Sequence, residues 1–599
     1  MTAMLAPTIR GAGRRNEATW SAVRDDVEDD EDDGGAEVIA RVAPGIAALG
    51  SYERRWLRSD VVAGLVLAAI LVPQGMAYAE LAGLPPVTGL YTTIFCLVGY
   101  ALAGPSRVLV LGPDSAVSPL IFAAVAPLLV VGAPSDMAVE LAGMLALFVG
   151  MILILLGLAR LGFVANLLST EVQVGYLNGL AVTIIVGQLP KLFGFSTDAD
   201  GFIDEVRAFV EGIDGRNGTA LAIGVATLVV LLLLPRVTRA LPSVLVAVVG
   251  ATLVTAVFDL DVATVGALPE GLPGPTIPWT DSGDVLPLLA AALGITLVSL
   301  TDTIATSSSF NARRGEEVDP NQEMTGIGIA NIAAGLFQGF AVSTSGSRTA
   351  VASQAGAQSQ VTGLVGAAFV ALMLVAFPSL LADLPQPTLA AVVIAAALSL
   401  ADLEALRRYW RVRKSALVLS LLATGGVIFF GVLEGIVAAV VLAILLVFQR
   451  SWWPHGELLG QYEGQDGWHR MRRSRPATQV PGVVVFRWEA PLFFANAGMF
   501  RQQLRHHVRA NRPQWIILQC EAITDIDVTA ADMLERLDLE LNEDGVHVMF
   551  VELRSRLHHL LAEYGLLGTL DREHFFDTID DAFDAIEAER SDPGTDRES

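Results

Sequence analysis

Uncharged apolar runs recur through the first 450 residues of the chain and then stop. Residues 61–79, 141–159, 218–235, 241–258, 361–382 and 415–433 contain no charged side chain. Each is about the length that crosses ~30 Å of hydrocarbon as a helix. One such run could be a buried core helix, but a long series reads as a multi-pass α-helical membrane protein. The pattern predicts fourteen transmembrane segments, near 61–80, 87–104, 112–131, 138–159, 168–190, 218–236, 241–258, 284–308, 322–340, 345–356, 359–382, 387–401, 415–432 and 434–449. A short amphipathic lead-in at 44–59 carries Trp56 to the interface. After Arg450 and the pair Trp452-Trp453 the pattern changes. Residues 455–480 read as a polar linker with Arg470, Arg472, Arg473 and Arg475. Short strands at 483–486, 515–518 and 546–551 then alternate with helical patterns at 498–510, 530–541, 554–564 and 579–587. That alternation predicts a compact α/β domain. The expected organisation is a disordered acidic tail at 1–43, a membrane domain at 44–450, a linker at 451–480, an α/β domain at 481–590 and a disordered tail at 591–599.

Charge placement tests the segment count independently. With both termini cytoplasmic, loops after even-numbered segments should hold the basic residues. Those loops contain eleven: Arg107, Arg160, Arg236, Arg239, Arg313, Arg314, Arg407, Arg408, Arg411, Arg413 and Lys414. Loops after odd-numbered segments contain three, Lys191, Arg207 and Arg216. An error of one segment would invert the pattern, so the count is even. The first 40 residues lack an apolar signal region, so the first membrane helix is expected to direct insertion into the cell membrane. Composition agrees: 53% of residues are hydrophobic, 17% are charged and the mean hydropathy is +0.54. The net charge of -24, much of it at 25–33 and in the C-terminal domain, argues against nucleic acid as a partner. Cys96 and Cys520 fall in different domains, so neither a disulfide nor a metal site is expected from them.

Two segments are interrupted. The third opens with Gly112-Pro113-Asp114-Ser115, and the tenth with Ser343-Thr344-Ser345-Gly346-Ser347-Arg348. Each follows an apolar stretch, 108–111 or 337–342, that could approach the midplane in extended form. Interrupted segments at matching places in two halves predict an inverted repeat with the substrate between the broken helices. Facing helix N-termini offer unpaired N–H groups and the positive ends of two dipoles, which suits an anion. Ser115, Ser345 and Ser347 add hydroxyls, and Arg348 adds a full charge. The competing reading is that these small residues only let helices approach closely. Arg348 weighs against it, because an arginine at membrane depth needs a charged partner or a polar cavity.

Gln74 and Tyr78, four apart beside Pro73, share one face of the first helix and could line the same cavity or bond a neighbouring helix. Asp302 and Thr306, also four apart, could carry a proton, bind Na⁺, or pair with Arg348. Asp114 would repel an anion unless protonated or paired, yet an acid also suits a helix N-terminus. Proton symport and capping are therefore both open for it. No phosphate-binding Gly-Lys loop or metal-ligand cluster is present in the sequence. The reading is a non-enzyme without a cofactor, driven by ion or substrate gradients.

The ordered motifs closely resemble one family. Val72-Pro73-Gln74-Gly75-Met76-Ala77-Tyr78-Ala79, Ala82-Gly83-Leu84-Pro85-Pro86 and Gly89-Leu90-Tyr91 are similar to the first-helix signature of the sulfate permease anion transporters. Gly112-Pro113, Asn311-Ala312-Arg313-Arg314-Gly315, Asn331-Ile332-Ala333-Ala334-Gly335-Leu336 and 343–348 resemble later landmarks in the family's order. The soluble domain looks like a STAS domain, with Asp527-Val528-Thr529 at that fold's Asp-x-Ser/Thr loop. The resemblance spans about 45–590. It implies a seven-plus-seven inverted repeat, core and gate domains in elevator motion, an anion between the third and tenth helices, and often a homodimer. By motif, the family's binding positions fall on Gln74, Tyr78, Ser115, Ser347 and Arg348, and its coupling acid on Asp302, where many relatives carry Glu. At the STAS loop, relatives that act as anti-anti-sigma factors are phosphorylated on a serine; Thr529 stands there, in a domain open to a cytoplasmic regulatory protein. Relatives carry sulfate, bicarbonate, chloride, oxalate or C4-dicarboxylates. Sulfate symport or exchange with H⁺ or Na⁺ is the leading expectation, with bicarbonate or a dicarboxylate as the alternative. A STAS-mediated regulatory scaffold with little transport is the reading from another class. A nucleobase carrier of similar architecture is disfavoured, because a neutral base has no need of Arg348.

Overall fold

The computed structural model describes residues 43–129, 135–163, 169–197, 201–238, 242–269, 271–279, 282–312, 314–315, 317, 319–454, 456–471, 477–570 and 574–591. The acidic run at 25–33, the last residues of the chain, and Arg239, Arg313, Arg472, Arg473 and Arg475 lie outside them. The chain divides into two compact units, one ending at Ala443 and one beginning at Ile444.

A helix stands near each of the fourteen expected positions, thirteen of them within the first unit and the last running on past Ala443 into the second. They are α1 Leu57–Leu81, α2 Pro86–Ala103, α3 Ser118–Val125, α4 Ser135–Leu158, α5 Thr170–Phe193, α6 Gly218–Val237 and α7 Ser243–Val257, then α8 Ser282–Ala312, α9 Pro320–Leu336, α10 Gly346–Gln354, α11 Val361–Ala376, α12 Gln386–Leu400, α13 Lys414–Phe430 and α14 Val432–Trp452. Six of these are long and apolar enough to cross a membrane, a seventh such run, Gln386–Val412, joins α12 to the short helix after it, and α3, α7, α11 and α13 are shorter apolar helices. Large side chains such as Leu155, Leu253, Leu372 and Phe429 are more than half exposed on them. Such a surface is tolerable against hydrocarbon and would aggregate in water. The lead-in forms a helix at Pro44–Gly50 and a 3₁₀ turn at Arg54–Trp56.

The helices sort into two bundles. In one, α9 packs on α4 and α2, α11 on α1 and α2, and α8 on α4. In the other, α5 packs on α13 and α12, and α6 on α12 and α7. Members one to four group with eight to eleven, and five to seven with twelve and thirteen, as the inverted repeat requires. Glycines bring α4 and α9 close. A Cβ at Gly143, Gly150 or Gly157 would meet the backbone oxygen of Gly335, Gly328 or Asn321 at 3.2, 2.6 or 2.7 Å. Both rows step by seven residues, so each contact recurs every two turns of an antiparallel pair.

Chain that is not helical crosses the first bundle at two places. Strands β1 Leu111–Gly112 and β2 Ser343–Thr344 pair antiparallel. Neighbouring side chains bond the remaining backbone groups. Val110 N–H donates to Thr349 Oγ1 at 3.1 Å, and Phe340 N–H to Thr92 Oγ1 at 3.1 Å. Val342 N–H donates to Asn331 Oδ1 at 2.9 Å, while its carbonyl accepts from Ser299 Oγ at 3.1 Å. Gln360 Nε2 donates to the carbonyls of Ser106 and Leu109 at 2.8 and 2.9 Å. Without water, irregular backbone at this depth persists only when it is bonded in this way.

The second unit holds a six-stranded sheet in the order β4-β3-β5-β6-β7-β8. Its strands are β3 Gly456–Gly460, β4 His469–Arg470, β5 Val483–Trp488, β6 Trp515–Gln519, β7 His547–Val551 and β8 Phe575–Phe576. From β5 to β8 the pairing is parallel, with helices α15 Ala497–Asn511, α16 Val528–Glu543, α17 Ser555–Glu563 and α18 Ile579–Ser591 in the connections and at the end. Ile516 and Leu518 enter one core, with Phe486 and Phe500; Trp515 and Ile517 enter the other, with Ile579 and Ile586. The stretch expected to be a linker is partly sheet, since β3 pairs antiparallel with β5 through Leu458↔Phe486 and its neighbours. Its apolar positions, Leu458 and Leu459, are too few for the pattern to announce a strand.

Candidate functional site

The two interruptions meet at a cavity of about 660 Å³ inside the first unit. Its two walls differ. The polar wall comes from the first bundle: Gln74 and Tyr78 on α1, Asp114 and Ser115 before α3, Asp302 and Thr306 on α8, and Thr344, Ser345 and Ser347 where β2 enters α10. The largely apolar wall comes from the second bundle, with Leu177 on α5, Leu231 on α6, Val244 on α7, and Val392 and Leu400 on α12, and Ser243 and Ser399 as its polar members. Nine of the expected site residues or their neighbours thus converge from four parts of the sequence, and the pairs 74/78 and 302/306 each present one helix face.

The helix starts are built differently. Ser345 caps α10, its Oγ accepting from Arg348 N–H at 3.4 Å and lying 3.1 Å from Ser347 Oγ. Ser115 does not cap the third helix. A turn precedes α3, where Asp114 Oδ2 accepts from Ala116 N–H at 2.9 Å, and the helix itself starts at Ser118 without a side-chain cap. Arg348 is 1% exposed and does not line the cavity. Its guanidinium lies behind the cavity wall, against the backbone of Gly112, where a Cβ would meet Nη1 at 2.6 Å. Nε, Nη1 and Nη2 have no hydrogen-bond partner among the described residues. The acid nearest to it is Asp114, whose Oδ1 is 4.0 Å from Nη2. Asp302 is not its partner: Asp302 Oδ1 accepts from Gln173 Nε2 at 3.1 Å.

Gln173 and Tyr176 went unread in the sequence. Both lie on α5, three residues apart, and reach from the second bundle to the polar wall. Tyr176 Oη donates to the Ala116 carbonyl at 3.0 Å. Lys191, further along α5, pairs with Glu80 at the end of α1, Nζ to Oε2, at 3.0 Å. A polar residue three or four positions from another on an otherwise apolar helix was the available signal. In the second unit, Asp527 caps α16 through Ala530 N–H at 2.8 Å and also accepts from Phe494 N–H at 2.8 Å. Thr529 stands exposed on the first turn. Cys96 and Cys520 are buried free thiols.

The sulfate permease family matches residues 57–423, and the STAS domain matches 474–582. A probable sulfate transporter of Mycobacterium tuberculosis is 41% identical over 551 residues, covering 91% of this chain and 98% of the relative. Human solute carrier family 26 member 6 is 33% identical, with coverage of 76% and 63%. The structure of murine solute carrier 26 family member A9, an anion transporter in the inward-facing state, superposes with a TM-score of 0.84 at 22% identity, covering 98% of this chain and 100% of that one. The transmembrane domain of a cyanobacterium bicarbonate transporter, BicA, gives 0.58 at 22% identity over 66% of this chain and 98% of that one. The chain is a multi-pass membrane protein of the sulfate permease family with a C-terminal STAS domain.

Proposed function

We propose that the chain carries sulfate across the cell membrane by secondary active transport, coupled to H⁺ or Na⁺ in symport or exchange. The observation that carries this reading is the Arg348 guanidinium, buried without a hydrogen-bond partner beneath two helix starts that face one cavity. A buried cation whose charge is only partly balanced is costly until a nearby anion offsets it. The names of the relatives supply sulfate as the first candidate. Gln74, Tyr78, Ser115, Ser345 and Ser347 contact the anion on this reading, and Arg348 supplies positive potential from behind.

The coupling follows from charge. Asp114 and Asp302 both line the cavity, so an entering anion meets two carboxylates, with one guanidinium behind the wall. A proton or Na⁺ taken up at Asp302, beside Thr306, offsets that repulsion, so cation and anion bind more readily together than apart. The polar wall belongs to one bundle and the apolar wall to the other, which suits sliding of one past the other in an elevator motion. The full reading includes fourteen crossings, cytoplasmic termini, a homodimer and a STAS domain that binds a regulatory partner, with Thr529 as a modification site.

The test is uptake of labelled sulfate, bicarbonate and fumarate by proteoliposomes under imposed H⁺ or Na⁺ gradients. Sulfate should accumulate under one of the two gradients. Accumulation of none of the three anions would overturn anion transport, and accumulation of bicarbonate or fumarate alone would reassign the substrate. Asp302→Asn should abolish the gradient dependence; unchanged coupling would remove Asp302 from its role.

A further inference from the structure

The connection between α12 and α13 is a ten-residue helix, Leu403–Val412, with two contrasting faces. One face is anchored. Ala405 and Tyr409 are buried in a cluster with Val174 of α5 and Ala416 of α13. Asp402 caps the helix by accepting from Ala405 N–H at 2.8 Å, and its own N–H donates to Asn178 Oδ1 at 3.0 Å. The opposite face carries Arg407, Arg408 and Arg411, followed by Arg413 and Lys414, and all five are exposed. None forms an ion pair with a carboxylate among the described residues. Within 402–414 the opposing charges are the capping Asp402 and Glu404. Such a concentration of cations is unusual in a chain of net charge -24. Between the two faces, Leu403 and Trp410 share a flank and are 58% and 66% exposed, and Val412 on the other flank is 80% exposed.

We propose that this helix is a docking site for the headgroups of anionic phospholipids. The helix joins two apolar helices, so it lies at an end of the bundle, where hydrocarbon gives way to headgroups. There the Leu403 and Trp410 flank meets acyl chains, while the arginines reach outward to phosphate, with which a guanidinium forms paired hydrogen bonds. Each basic residue near an anionic surface is worth about a fivefold gain in partition, so several together select anionic over zwitterionic lipid. The acidic run at 25–33 is the other occupant that charge alone would allow. It offers no apolar partner for Trp410 and Leu403, which favours the lipid. Because the anchored face rests on Val174 and Asn178 of α5, a bound headgroup holds the helix whose Gln173 bonds Asp302.

The experiment uses the full-length chain in nanodiscs of phosphatidylcholine containing roughly a quarter phosphatidylglycerol. Mass spectrometry of lipid retained on extraction reads the enrichment. The wild type should retain phosphatidylglycerol over phosphatidylcholine, and the combined variant Arg407→Gln, Arg408→Gln, Arg411→Gln, Arg413→Gln should lose at least about tenfold of that preference. The matching four Arg→Lys changes keep the charge and should keep most of the preference, which separates charge from misfolding. Equal retention by the wild type and the glutamine variant would overturn the proposal. So would a preference that emerges only when the acids of 25–33 are replaced by Asn and Gln, because the occupant would then be the chain's own acidic segment.

Discussion

At the scale of the residue, the site turns on what Arg348 lacks. Its three guanidinium nitrogens are buried without acceptors, and Asp114 at 4.0 Å balances its charge only in part. Replacing it by Gln keeps some donor capacity and removes the charge, leaving Asp114 facing the anion alone. A full charge acting from behind the wall is worth about 2 kcal/mol at roughly 8 Å and an effective dielectric constant of about 20. Arg348→Gln should therefore raise the half-saturating sulfate concentration by roughly tenfold to a hundredfold in uptake assays, with Arg348→Lys closer to the unsubstituted chain because it keeps the positive charge. Gln173 gives a separate prediction. Its amide occupies one lone pair of the Asp302 carboxylate at 3.1 Å. Gln173→Leu leaves that oxygen open, so the coupling cation should bind more tightly. The half-saturating H⁺ or Na⁺ concentration should fall by about tenfold, with sulfate half-saturation little changed. A rise in it would contradict the assigned geometry. Arg348, Asp302 and the serines were legible in the sequence because charge and hydroxyls stand out in apolar runs. That Arg348 sits behind the cavity was not legible, because it depends on Gly112 having no side chain across a strand pair 231 to 233 residues distant in the chain.

At the scale of the element, two non-helical arms are the costly part of the fold, and named side chains hold them. Asn331 both donates to and accepts from Val342. An apolar replacement such as Asn331→Leu leaves the buried N–H of Val342 without a partner, at about 1–3 kcal/mol, while its carbonyl keeps Ser299. Its thermal unfolding midpoint in detergent should fall, and uptake should fall with it even in the cold, because β2 would lose its position. The α4–α9 seam is a second test. Gly150 is so close to the Gly328 carbonyl that a Cβ meets it at 2.6 Å, and backbone cannot rotate away as a side chain can. Gly150→Leu should destabilise by about 1–3 kcal/mol or more through overpacking, whereas Gly250→Leu, where no atom lies within 4 Å, should not. The long helices and the interruptions were readable from apolar period and from Gly, Pro and Ser. The bonding of the arms was not, because Thr92, Ser299 and Gln360 are ordinary polar residues until the fold brings them to the arms.

At the scale of the whole molecule, the division of labour between the units can be tested by cutting the chain at the right place. Every residue that lines the cavity lies between Gln74 and Leu400, so on the proposed reading the groups that select the anion all belong to the first unit. The second unit has its own two cores, one on each face of the sheet. The change in composition after Arg450 suggested a cut at 481, but that cut removes β5 and leaves β3 paired only with the two-residue strand β4. The stranded residues 456–471 would then expose an unpaired strand edge, which invites aggregation. A chain ending at 454 removes the whole sheet instead. It should be recovered as a dispersed species in detergent, and its ranking of sulfate, bicarbonate and fumarate as competitors should match that of the intact chain, whatever happens to its rate. A chain ending at 480 should give a lower dispersed yield by size exclusion. If the shorter chain reverses the ranking of anions, the second unit takes part in selecting them, and a cavity built from the first unit alone is not a sufficient account of specificity.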